Sequence, residues 1–323
     1  MSHAMKPKRV VVTDLRFEGL LHERAAAERH GASFDVFDCH DEAEVVEALR
    51  DADIAFVNLV PVTETALAGM RENGLVVRYG IGTDNVDVDA ARRLGIRVAN
   101  VPDYGSDTVA DHASACMLAL LRRLPMFDAA IRRDGWINPD TVGHLPALSA
   151  TTVGLVGVGR IGLLVARRLQ AFGIRILATD PFADADALRA ANIEPASLET
   201  LLGDAHGISL HLPATPATRH IIGPVSIGRM RRGAMLVNTA RGALVDETAL
   251  AEALGDGRLG GAALDVFDPE PLAPNSPLRT LPNVILTPHA AFYSAQSLEA
   301  LQRLASEEAA RALAGEPLRS RIA

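Results

Sequence analysis

The stretch "VGLVGVGRIG", residues 153–162, decides the fold. Val153–Val156 is a short apolar run of strand type. Gly157, Gly159 and Gly162 then form a GxGxxG, and "RIGLLVARRLQAFG" at 160–173 carries on with helical periodicity. Each glycine has a mechanical task. Gly157 permits a tight turn, Gly159 lets the backbone approach a pyrophosphate, and Gly162 lets helix and strand pack closely. The helix N-terminus offers unpaired N–H groups to an anion. The next strand ends "ILATDP" and places Asp180 eighteen residues past Gly162, near the ~20 expected of a ribose-binding acid. A carboxylate there accepts ribose hydroxyls and repels a 2′-phosphate, so NAD is the expected cofactor rather than NADP.

The same alternation extends in both directions. "RVVVTD" at 9–14 reads as a strand and "FEGLLHERAAAERHG" as a helix closed by Gly31. "SFDVFD", "DIAFVN" and "LVVRYG" read as further strands. In the second half "IRILATD", "HGISLHLP", "GAMLVNTA", "LGGAALDVF" and "NVILTPH" are mostly apolar, as strands covered on both faces are. Strands spaced by helices imply βαβ units and parallel sheets. Two segments read as crossings between domains: "NVPDYGSD" at 100–107, leading into a long apolar helix near 108–124, and the Pro/Gly-rich "DGWINPDTVGHLPALSA" at 134–150, a candidate exposed arm. The final helix, 295–315, is amphipathic and is expected to pack back on the first domain.

With 323 residues, the chain is long enough for two domains at ~100–200 residues each. A net charge of −8 and a pI near 5.7 argue against a nucleic-acid partner, which needs a basic face. No apolar run reaches the ~18–20 residues that span a bilayer. Cys39 and Cys116 are the only cysteines, form no CxxC, and read as reduced thiols of a cytoplasmic protein. No metal-ligand pattern is present. Met5 reads as the natural start.

Three later loops carry a polar residue just past an expected strand. "MLVNTARGALVDE" puts Arg241 there, "AALDVFDPEPL" puts Asp265 and Glu270 there, and "VILTPHAAF" puts His289 there. Ligands bind at the C-terminal ends of parallel strands, so these residues are expected to face one crevice. Hydride transfer to a keto group needs a proton for the oxygen, which His289 can supply. Glu270 can orient the ring and favour its charged form. Arg241 can grip a carboxylate with two parallel hydrogen bonds. Each also has a bland reading, as a turn histidine, a solvated loop acid and a surface ion-pair partner.

In motif order the chain resembles the D-isomer-specific 2-hydroxyacid dehydrogenases over nearly its whole length. The matching segments are "GTDNVDVDAARRLGIRVANVP" (82–102), "VADH" (109–112), "GLVGVGRIG" (154–162), "LHLPATPATRHIIG" (210–223), "LVNTARGALVDETAL" (236–250), "GAALDVFDPEPL" (261–272) and "TPHAAF" (287–292). "NVPDYGSDTVADH" and "HAAFYS" look most like the C-terminal-binding-protein branch, which shows tryptophan where this chain has Phe292.

The resemblance implies an α/β protein of two doubly wound parallel-sheet domains. A Rossmann NAD domain (103–291) is inserted into a flavodoxin-like substrate domain (5–102 plus 292–323), with the active site in the cleft. It implies that Arg241 binds substrate, that His289 is the acid/base and that Glu270 is its partner. Asp265 matches a residue that holds the nicotinamide amide. Arg160 and Ile161 match the loop over the pyrophosphate. Leu212, Pro213 and Thr218 match the loop beside the adenosine, and Thr239 and Ala240 match backbone cofactor contacts. Thr108 sits where the long helix meets the cofactor. Gly80, Ile81 and Gly82 match a loop whose N–H groups hold the substrate carboxylate. A homodimer through the NAD domains is implied as well.

The expected activity is reversible hydride transfer between NADH and a small 2-keto acid, glyoxylate- or hydroxypyruvate-like or longer. The alternative is an NAD(H)-sensing, corepressor-like binding protein without turnover. Oxidation of an anion such as phosphite is a third reading. It is expected to need a lysine where this chain has Ile81. Arg78 and Tyr79 precede the Gly80–Gly82 loop and count with it as substrate residues; Arg78 either reads a second polar group of the substrate or pairs with a surface acid. Phe292 and Tyr293 either wall the pocket or, for Tyr293, belong to the core. Tyr104 and Trp136 stay undecided.

Overall fold

The computed structural model describes residues 7–15 and 17–323. The expectation for Met5 lies outside them. The chain forms two compact units. One comprises the described residues up to Gly105 together with Ser294–Ala323, and the other is Ser106–Tyr293. The resemblance had put these crossings at 102/103 and 291/292, and the 134–150 segment, also read as a crossing, lies within the second unit. The first now falls at the start of the helix Ser106–Leu121. The second falls after Phe292 and Tyr293, whose rings meet edge-on.

In the first unit, β1 (Arg9–Val12), β2 (Ser33–Val36), β3 (Ile54–Val57), β4 (Leu75–Arg78) and β5 (Arg97–Ala99) form a parallel sheet in the order β2-β1-β3-β4-β5. This is the flavodoxin-like order. Side chains alternate across a strand. Val10 and Val12 therefore join a core with Phe56, Val77 and Leu301, while Val11 joins another with Val45, Leu67 and Val98. The last helix, Ala295–Ala314, presents Leu301, Ala305, Ala309 and Ala312 at helical spacing to the first of these cores. Ser294 caps its start and Gly315, at φ 74°, ends it.

In the second unit, β6 (Thr152–Val156), β7 (Arg175–Thr179), β8 (Ile193–Pro195), β9 (Gly207–Leu210), β10 (Met235–Asn238), β11 (Gly261–Leu264) and β12 (Val284–Leu286) form a parallel sheet in the order β12-β11-β10-β9-β6-β7-β8. The order reverses between β9 and β6, the switch point at which doubly wound sheets bind dinucleotides. Val156 pairs with Leu210, Leu210 with Asn238, Asn238 with Leu264, and Leu264 with Leu286. Five strands thus end in line, and their loops leave from one edge of the sheet. The strands β5 and β8 were not read from sequence. Each is three residues long, and β8 ends in proline.

The 134–150 segment carries two short 3-10 turns, Pro139–Val142 and Leu148–Ala150, and Trp136 is 86% exposed. Cys39 and Cys116 are buried and unpaired. Burial first, then neighbouring carboxylates, pushes both thiols up to about 11. Among the described residues no helix is long and apolar enough to cross a membrane, and no group of side chains could hold a metal ion.

Candidate active site

The glycine turn after β6 has the steric form its sequence requires. Gly157 adopts φ +89°, and a Cβ on it would lie 2.5 Å from the His211 carbonyl oxygen. A Cβ on Gly162 would lie 2.5 Å from the Gly157 oxygen, so this helix touches the turn itself. Around Gly159 a Cβ would meet nothing within 4 Å. The helix Arg160–Gln170 starts there with no side-chain cap, which leaves its N–H end to a ligand. Arg160 is exposed, while Ile161 packs partly on the core. Asp180 follows β7 and accepts Val158 N–H at 2.9 Å through Oδ2 and Phe182 N–H at 2.9 Å through Oδ1. The acid is thereby held against the glycine turn. An open backbone cradle, an uncapped helix start and a fixed carboxylate fit a dinucleotide. Thr108 lies on the first turn of the helix Ser106–Leu121.

The 211–218 loop is organised from within. Thr218 Oγ1 donates to the Pro213 carbonyl at 2.8 Å and accepts Thr215 N–H at 2.8 Å. Thr218 therefore staples the loop that carries Leu212 and Pro213. His211 is only half-buried as a residue, but its Nε2 is enclosed without a hydrogen-bond partner among the described residues. Burial lowers its pKa to about 4, so the ring is neutral.

After β10, Asn238 is fully buried and brackets the next turn. Its Oδ1 accepts Ala240 N–H at 3.1 Å and its Nδ2 donates to the Arg241 carbonyl at 2.8 Å. Thr239 lies within this bracket, its Oγ1 buried. Gly242 follows, and a Cβ on it would lie 2.0 Å from the Phe267 carbonyl carbon. Only glycine allows the Arg241 turn to come this close to the loop after β11. That closeness puts the charge of Arg241 among the influences on Glu270.

The Glu270 carboxylate lies 2.8 Å from His289 Nδ1, and its Oε1 accepts Phe267 N–H at 3.0 Å. Burial pushes its pKa up. The His289 contact, the Phe267 N–H and the Arg241 charge together outweigh burial and hold the carboxyl below its ordinary value. Phe292 meets the His289 ring edge-on, with centroids 6.5 Å apart.

His289 itself adopts φ +53°, a left-handed conformation that side chains rarely take. Its N–H donates to the Asp265 carbonyl at 2.7 Å. The Asp265 carboxylate, 2% exposed, accepts Thr287 Oγ1–H at 2.6 Å, Ala290 N–H at 2.7 Å and Ala291 N–H at 2.9 Å. Three of its roughly four acceptor positions are therefore used by the protein, which makes Asp265 first an anchor of the His289 loop.

In the first unit, the Gly80 and Ile81 carbonyls accept from Val101 N–H (2.9 Å) and Asn100 Nδ2 (2.6 Å), which fixes the Gly80–Gly82 turn. Arg78 folds beneath Gly80 and donates through Nη1 to the Tyr79 carbonyl at 2.5 Å. Tyr79 departs from its expected place. Its side chain is 1% exposed, stacks on Phe56 and donates to Glu23 at 2.7 Å, so it belongs to the core. Its position next to Arg78 in sequence suggested a shared role, but adjacent residues of a strand point to opposite faces. Tyr293 is 68% exposed and is not a core residue. Asn238, His112 and Thr287 went unremarked in the sequence. Their signal is only a polar residue inside or beside an apolar run.

Residues 114–291 match the model of the D-isomer specific 2-hydroxyacid dehydrogenase, NAD binding domain.

The chain belongs to that dehydrogenase family.

A glyoxylate reductase of Korarchaeum cryptofilum is 36% identical over 319 residues, covering 94% of this chain and 92% of its own. A D-3-phosphoglycerate dehydrogenase of Methanocaldococcus jannaschii is 39% identical over 275 residues, covering 84% of this chain and 52% of its own. The chain thus spans about half the length of that longer relative. The crystal structure of a D-lactate dehydrogenase from Aquifex aeolicus, complexed with NAD and lactic acid, superposes with a TM-score of 0.85 at 30% identity, covering 95% of this chain and 96% of the other. The dehydrogenase family's fold accounts for both sheets.

Proposed function

We propose that the protein is an NAD-dependent D-2-hydroxyacid dehydrogenase that reduces a small 2-keto acid. The observation that carries this reading is the His289–Glu270 contact at 2.8 Å, beside the Arg241 turn. Glu270 accepts Nδ1–H, so the exchangeable proton resides on Nε2 of His289. That proton passes to the substrate carbonyl oxygen as the carbon gains hydride, and returns in the oxidative direction. Bound NADH supplies the hydride from its nicotinamide C4. Arg241 is assigned to substrate binding. In the first unit, the backbone N–H groups of Gly80, Ile81 and Gly82 are assigned to a carboxylate. The cofactor residues are Gly157, Gly159, Gly162 and Asp180, with Thr108, Thr239 and Ala240 beside them. Asp180 supports NAD over NADP.

The substrate assigned is glyoxylate- or hydroxypyruvate-like or longer, with Phe292 against His289 as the side chain that selects its size. The segments "NVPDYGSDTVADH" and "HAAFYS" support a position near the C-terminal-binding-protein branch, from which Phe292 departs. A homodimer through the NAD unit is supported by exposed Leu124, Ile131 and Trp136 in one segment. The buried free thiols suit a cytoplasmic setting.

An NADH-oxidation screen against a panel of 2-keto acids tests the reading. Turnover that is lost in Arg241→Ala and His289→Ala, with NADH binding retained, is expected. A folded, NADH-binding protein that is silent across the panel refutes it.

A further inference from the structure

The Asp265 anchor is itself held from the side. Thr287 Oγ1 lies 2.6 Å from Asp265 Oδ1 and 3.2 Å from His112 Nε2. A hydroxyl has one proton. The shorter contact, to an acceptor-only carboxylate, takes it. Thr287 must then accept from His112, which requires a proton on His112 Nε2. The chain of donation is therefore directional, from His112 to Thr287 to Asp265. It ends at the carboxylate that gathers the Ala290 and Ala291 N–H groups. Donation into the hydroxyl polarises its O–H and strengthens the bond to Asp265.

The need for such bracing is local. A non-glycine residue in the left-handed region costs free energy unless its surroundings over-determine it. His289 sits there at φ +53°. The residues that hold it are Asp265, through both carbonyl and carboxylate, and the turn Thr287–Ala291. Relaxation of that turn swings the imidazole away from Glu270. His112 lies on the helix Ser106–Leu121, 175 residues from Thr287 in sequence. The brace therefore ties the histidine loop to a helix rather than to a neighbouring loop.

We propose that His112 and Thr287 are positioning residues that lock the His289 loop through Asp265. The catalytic consequence rests on the dehydrogenase reading above, but the structural lock does not. Thr287→Val keeps the shape and removes the hydroxyl. His112→Leu removes the donor, and His112→Gln restores one at similar reach.

Two readouts separate the lock from the activity. Hydrogen exchange of the peptide containing Ala290 and Ala291 reports the lock without turnover. Thr287→Val is expected to speed exchange there roughly tenfold, the loss of about one hydrogen bond. His112→Leu should do so to a lesser extent, and His112→Gln should stay near the parent. Where the parent turns over a 2-keto acid, kcat should fall in the same order, while KM and NADH affinity stay within about threefold. Unchanged exchange at Ala290 and Ala291 in Thr287→Val overturns the proposal. So does His112→Gln behaving like His112→Leu, or faster exchange spread evenly over the whole unit. Absence of turnover in the parent overturns only the dehydrogenase reading and leaves the exchange result decisive for the lock.

Discussion

Glu270 Oε2 and His289 Nδ1 lie 2.8 Å apart, and the two residues reach each other from loops that follow adjacent parallel strands, β11 and β12. The pair is set by sheet register rather than by nearness in sequence. Glu270→Gln keeps a side chain of the same size but removes the carboxylate that faces His289 Nδ1. It is expected to lower kcat by about 10²-fold, and His289→Ala by about 10²–10⁴-fold. NADH affinity, followed by fluorescence, should hardly change in either.

The lowered pKa of Glu270 has a pH signature with a definite sign. The native state binds its proton less readily than the unfolded chain does. The Glu270 carboxylate is intact above its ordinary value of ~4.3, and its contribution is lost as pH falls through the lower folded value. Activity lost on that acid side should return on rapid readjustment to neutral pH. An acid limb of the same position in Glu270→Gln, in pH-jump kinetics, contradicts the assignment.

Gly242→Ala tests the approach of the two loops. A Cβ 2.0 Å from the Phe267 carbonyl carbon cannot be accommodated without moving backbone. Overpacking of this kind costs ~1–3 kcal/mol, read as a fall in the urea midpoint. Because the shift parts Arg241 from Glu270, KM for the keto acid should rise as well. A variant with both unchanged would show that the loops have slack.

Asp180→Ala removes a carboxylate that is bonded to Val158 N–H and Phe182 N–H. NADH affinity should fall about tenfold, as expected for loss of a charged hydrogen-bond acceptor. NADPH affinity should hold or improve, since the repulsion of the 2′-phosphate is gone. Titration with both cofactors gives the ratio, and an unchanged ratio refutes the NAD preference assigned to Asp180.

His211 predicts a stability change. Its folded pKa of about 4 lies below the ordinary ~6.5. The unfolded chain takes up the proton first as pH falls, so stability is full above pH ~6.5 and is lost progressively down to about 4. The loss from this group is about 3 kcal/mol. Urea midpoints between pH 7 and 4 should therefore slope less in His211→Gln than in the parent.

The glycine turn, the switch from period 2 to period 3.6 after it, and the strand-end positions of Arg241, Glu270 and His289 were legible because local sterics and burial dictate them. The short strands β5 and β8 were not, since three residues carry too little periodicity. The family resemblance made Asp265 a cofactor ligand, and its place after a strand put it at the crevice. Only the folded loop reveals that its carboxylate is mostly spent on Thr287, Ala290 and Ala291. Tyr79 was counted among the substrate residues for its place just before the Gly80–Gly82 loop, and its burial and hydrogen bond to Glu23 put it in the core.

The sequence by itself determined two parallel α/β sheets and a dinucleotide turn with its acid. Each rests on interactions within a few residues or on a repeated pattern. The tertiary structure alone decided which polar groups are free to act and which are consumed in holding others. Sheet order brings β10, β11 and β12 side by side and sets His112 against Thr287, 175 residues away. A hydrogen bond at that separation leaves no trace in local pattern, because either partner would look the same in its own segment without it.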